Sequence, residues 1–115
     1  MHVNRRSWIT AYAAILFLAT GCGGVVVGHW RLVKSTPNRE VFAINDLTLG
    51  RDGAFSGTVT IDGRTAEETG RYYFNGYKII FRPSAGGQRE YNALLQLNQL
   101  KISDKEKRQV ILERT

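Results

Sequence analysis

A chain of 115 residues with 16 Lys and Arg against 10 Asp and Glu carries a formal net charge of +6 and is long enough for one small domain. One cysteine excludes an internal disulfide framework, and two histidines are too few soft ligands for a zinc or copper centre. The cations are spread along the chain, and the one dense run, Lys101 to Arg108, is broken by Asp104 and Glu106, so it reads as a solvated turn and not as a nucleic-acid surface.

At the N-terminus, Arg5 and Arg6 precede an uncharged stretch from Ser7 to Thr20 that ends in Ala19-Thr20-Gly21-Cys22. A charged start, an apolar helical run and small residues at its end are the layout of a secretory signal. The thiol is the most nucleophilic ordinary side chain and can form a thioether, while Ala19 and Gly21 are small enough for a peptidase pocket. The segment resembles the lipobox of bacterial lipoproteins, although Ala19 stands where that family most often has leucine and Leu18 is one place away. The resemblance implies a signal peptide over residues 1–21, cleavage between Gly21 and Cys22, and a lipid anchor on Cys22 that ties the chain to a membrane. Gly23 replaces the aspartate that commonly signals inner-membrane retention in that family, which implies the outer membrane in a cell that has one. The alternative is an uncleaved helix, because no charge occurs from Ser7 to Gly28, a length that crosses a bilayer. Gly21, Gly23, Gly24 and Gly28 weaken that helix. Asn4-Arg5-Arg6-Ser7-Trp8-Ile9 partly resembles a twin-arginine signal, so the export route stays open.

Residues 22–28 form a short glycine-rich tether, and the domain occupies residues 29–115. Asp52-Gly53, Asp62-Gly63, Asn75-Gly76 and Gly86-Gly87 recur at intervals of roughly ten residues and supply the positive φ of tight hairpin turns. Between them, Phe55, Gly57, Val59 and Ile61 alternate with Ser56, Thr58, Thr60 and Asp62, the pattern of a half-buried strand. Tyr72-Tyr73-Phe74 enters Asn75-Gly76 and Tyr77 to Phe81 leaves it, a strong hairpin that Pro83 ends. Tyr91 to Leu97 would also fit a helical turn or two but is read as a strand among strands. Leu100 to Ser103 then pairs with Gln109 to Arg114. The expectation is an all-β antiparallel meander.

Gly28-His29-Trp30 at the entrance of the first strand, followed by this meander and a basic residue near the end of the last strand, resembles the lipocalin or calycin pattern. The resemblance spans Gly28 to Arg114. It implies a small up-and-down β-barrel, closed or partly open, in which Trp30 plugs one end and Arg114 packs over its face. The chain is shorter than a full lipocalin and has no C-terminal helix after the barrel, so it is more similar to the minimal lipocalin-like domains of bacterial envelope lipoproteins.

Catalytic chemistry is not apparent. His29 is read as a surface residue, no Gly-x-Ser-x-Gly segment occurs, and adjacent Glu67 and Glu68 point to opposite faces of a strand. No enzyme activity, cofactor, metal or nucleic-acid partner is expected. Two roles remain. The barrel holds a small hydrophobic or amphiphilic ligand, with Phe55, Tyr72, Phe74 and Phe81 as the candidate lining residues. Alternatively, those aromatics fill the core, and the protein is a structural or adaptor lipoprotein that docks another envelope component.

Overall fold

The computed structural model describes residues 24–115; the signal segment, its cleavage point at Gly21 and the lipidation site Cys22 lie outside the described residues. Eight strands follow one another: β1 (Gly28–Thr36), β2 (Phe42–Leu49), β3 (Ala54–Ile61), β4 (Arg64–Phe74), β5 (Lys78–Pro83), β6 (Arg89–Gln96), β7 (Gln99–Ser103) and β8 (Gln109–Arg114). Each pairs antiparallel with the next, and β8 returns to β1, so the sheet is a closed barrel. The partly open variant of the expected barrel is thereby corrected. The β1–β8 ladder runs from Trp30 opposite Arg114 to Thr36 opposite Gln109, with a bulge between Leu32 and Lys34.

Local chemistry sets the turns. Asp62 and Gly63 both have positive φ, at 51° and 82°, the requirement of a two-residue turn that matches strand twist. Asn75 Oδ1 accepts from the backbone N–H groups of Tyr77 and Lys78 at 3.1 and 2.8 Å. Asp104 does the same for Glu106 and Arg108, at 2.9 and 3.0 Å, which orders the turn between β7 and β8.

Alternation decides which side chains fill the barrel. On β3 Phe55 and Val59 are buried while Ser56 is exposed, and on β6 Tyr91 and Ala93 are buried while Asn92 and Leu94 are exposed. Period two on β6 settles the strand reading over the helical one. The inward set, including Trp30, Phe42, Leu47, Leu49, Ile79, Phe81, Leu100, Ile102 and Leu112, forms one contiguous core.

Strand β4 pairs with β3 from Arg64 to Arg71 and with β5 from Gly70 to Phe74. Gly70 lies where the two pairings overlap, and a Cβ there would sit 2.2 Å from the Arg82 carbonyl oxygen. The close approach of the two backbones is what demands glycine. Gly70→Ala is expected to lower stability by about 2–3 kcal/mol in denaturant unfolding, because backbone and not a flexible side chain must move. Ser56→Ala, on the exposed face, should change it by less than about 0.5 kcal/mol.

Candidate functional site

Antiparallel order gathers the start of β1, the end of β8 and the β2–β3, β4–β5 and β6–β7 turns at one end of the barrel. Trp30 is wholly buried there, and its indole Nε1 donates to the Val26 carbonyl at 2.9 Å. The Arg114 guanidinium lies over the Trp30 ring, 4.4 Å from the centroid. Its Nη1 donates to the Val27 carbonyl at 2.6 Å and its Nη2 to that of Val25 at 2.8 Å. The pair that the lipocalin resemblance implies is therefore brought together, and it also clamps residues 25–27, which the sequence reading assigned to a tether. Val26 is fully buried, so this part of the tether belongs to the packed structure. Gly28, at φ 145°, passes so close that a Cβ would meet Arg114 Nη1 at 2.9 Å. The positive φ, with this contact beside it, explains the glycine two places before the tryptophan.

The opposite end is sealed by a second set of contacts. The rings of Phe42 and Tyr91 stand 5.6 Å apart, and the Arg108 guanidinium lies 5.7 Å from the Phe42 centroid. Arg108 is held by Asp104 Oδ2 at 2.7 Å. Beside it Arg89 makes a forked pair with Glu68 and donates to the Tyr91 hydroxyl at 3.0 Å. Glu68 thus turns inward while Glu67 stays exposed, as adjacent strand residues must. Arg108 sat in the run read as a solvated turn, and Arg89 carried no distinguishing signal. Burial pushes the Tyr91 phenol above its ordinary 10.0, against the opposing pull of Arg89.

Between the two ends the four candidate lining residues take different places. Phe55 and Phe81 meet edge to face at 4.9 Å, and Phe81 contacts Tyr91 at 6.0 Å. Phe74 is buried in the same core, whereas Tyr72 is half-buried and donates from its hydroxyl to the Gly50 carbonyl at 2.8 Å. The space enclosed by Ile44, Leu47, Phe55, Val59, Phe81, Arg89 and Tyr91 is about 10 Å³. A void of that size holds one water at most, against roughly 300–1,000 Å³ for an ordinary ligand pocket.

On the outer surface His29 stands between Asp46, which meets its Nε2, and Thr115 Oγ1, 2.7 Å from its Nδ1. The three groups have the order of a nucleophile, a base and an orienting acid. However, the Thr115 hydroxyl donates to the His29 carbonyl at 3.3 Å, and the His29 and Asp46 side chains are about half exposed. This arrangement straps β1 to β2 and to the residue after β8. A shallow groove of about 480 Å³ runs across the outer face of β2, β3 and β4 beside Thr48, Ser56, Thr69, Arg71 and Ser84. Among the described residues no three His, Cys, Asp or Glu side chains are grouped to hold a metal ion.

Comparison with protein-family models, curated proteins and solved structures finds no match to this chain.

Arg114→Ala removes the indole contact and frees two backbone carbonyls, so it should cost about 2 kcal/mol in denaturant unfolding, with Arg114→Lys recovering only part. Tyr91 should make stability sensitive to alkali. Its raised folded-state value favours the neutral phenol, so the contribution is whole below pH 10.0 and is lost as pH rises through the folded value. Unfolding free energies measured across that range should fall less steeply in Tyr91→Phe than in the parent chain.

Proposed function

We propose that this protein is an envelope lipoprotein, anchored to a membrane through lipid on Cys22, whose lipocalin-like barrel is a structural or adaptor module that docks another envelope component. The observation that carries the choice of role is the interior. Phe55, Phe81 and Tyr91 pack against one another, and the space among them and their neighbours is about 10 Å³. Holding a small hydrophobic ligand there would require those rings to part, at the cost of contacts that close packing provides. Recognition on this reading belongs to the outside of the barrel, and the role is not catalytic.

The lipocalin-like assignment is supported by the Gly28-x-Trp30 entrance with Arg114 over the indole, in a closed meander of eight strands. The anchor is supported by the charged start, apolar run and small residues before Cys22. Membrane proximity comes with it, since the basic balance of the chain favours anionic head groups.

Crosslinking in intact cells, followed by mass spectrometry of the adducts, tests the adaptor role. A recurrent envelope protein crosslinked to the barrel surface is the expected result, and recovery of the monomer alone at every crosslinker length would refute it. Cys22→Ser tests the anchor separately: the parent should carry acyl mass on its N-terminal cysteine, and the variant should accumulate as unacylated precursor.

A further inference from the structure

The two ends of the barrel differ in what they show to solvent. The turns of the distal end expose Arg39, Glu40, Asp62, Arg64 and the Lys105–Lys107 run, and no large apolar side chain is exposed among them. At the end where β1 begins, Val25 is 48% exposed, Tyr77 65% and Leu97 96%. These three come from separate segments: the entry to β1, the β4–β5 turn and the β6–β7 turn. Hydrogen bonds from Arg114 hold two of them together, its N–H donating to the Asn98 carbonyl at 2.8 Å and its Nη2 to that of Val25, and the antiparallel strand order puts the β4–β5 turn at the same end.

Leu97 is the informative member. It occupies the tip of its turn at φ 53°, a left-handed conformation that suits glycine or asparagine and costs a leucine free energy. An exposed leucine at such a position gains nothing from the barrel's own packing.

We propose that this rim is a lipid-facing surface, on which Val25, Tyr77 and Leu97 enter the head-group region of a phospholipid bilayer. The inference rests on the membrane-anchored reading given above and deepens it by orienting the domain. Residue 25 lies three positions from Cys22, and an extended chain spans about 3.3–3.6 Å per residue, so an anchor at Cys22 holds the rim within about 10 Å of the lipid. The Arg114 clamp on the Val25 and Val27 carbonyls fixes the direction in which the chain leaves the barrel. Tyrosine suits the interface, with an apolar ring and a polar hydroxyl, and exposed Arg51 on the β2–β3 turn offers a cation to anionic head groups. Few side chains suffice, because attachment makes the second contact intramolecular and raises its effective concentration. The charged distal end then points away from the membrane, where a protein partner has access.

The mature acylated protein, purified from its own membrane and reconstituted into vesicles of phosphatidylglycerol and phosphatidylcholine with brominated acyl chains, tests the orientation. Bromine quenches a tryptophan that enters the bilayer, so Leu97→Trp and Glu106→Trp are compared at the two ends, with the parent chain as background. Leu97→Trp should be quenched several-fold relative to the same chain in unbrominated vesicles, and Glu106→Trp should be unchanged. Flotation of the vesicles reports attachment independently. A chain that floats while its Leu97→Trp signal is quenched no more than that of Glu106→Trp overturns the lipid-facing rim and leaves the anchor standing. A chain that does not float overturns both. If Leu97→Trp does not fold, Tyr77→Trp takes its place with the same expected and contrary results.

Discussion

The Arg114 guanidinium is where the two ends of the domain meet. It lies over the Trp30 ring at 4.4 Å while its nitrogens hold the Val25 and Val27 carbonyls, so one side chain on the last strand binds the first strand and the segment that precedes it. A sheet that closes has no free edge, and the closing ladder is the one formed at the greatest sequence separation. Cation–π attraction alone contributes about 0.5–2 kcal/mol, which would not hold such a ladder. Combined with two charge-assisted hydrogen bonds and the burial of Trp30, it fixes the register from which the β1–β8 pairing runs. Gly28 beside it has φ 145°, a backbone conformation that strains any other residue, and a Cβ there would push the guanidinium tip aside.

The approach to β8 supplies the seal at the other end as well. Arg108, just before that strand, lies over Phe42 and is held by Asp104, with the Arg89–Glu68 pair beside it. Eight strands enclose a space that side chains can just fill or that can be left open for one small ligand. Here large residues take the first course, with the ring pairs Phe42–Tyr91, Tyr91–Phe81 and Phe81–Phe55 running in series through the interior and Trp30 buried at the end where β1 begins. On the proposed reading recognition then belongs to the outer surface, and for that reason the adaptor role is proposed ahead of ligand carriage.

Much of the fold was legible because its signals are local. Asp62-Gly63 and Asn75-Gly76 marked turns by backbone chemistry, and alternation along β3 marked its buried face. The β6–β7 turn was not legible: Leu97-Asn98 has no glycine, and leucine gives no hint of φ 53°. The inward turn of Glu68 towards Arg89 was equally hidden, since it depends on strands β4 and β6 meeting across the end of β5. Trp30 and Arg114 could be paired in advance only through resemblance to a family pattern, because nothing local connects residues so far apart in sequence. Val26 in the core was missed for a related reason, as a run of valines between glycines looks the same in a tether and in a plug.

Native mass spectrometry of the protein extracted gently from its own envelope separates a barrel filled by its own side chains from one that carries a ligand. A filled barrel should give the mass of the polypeptide with its anchor and nothing further. A small apolar molecule retained at one per barrel, and released only when the barrel unfolds, would contradict it.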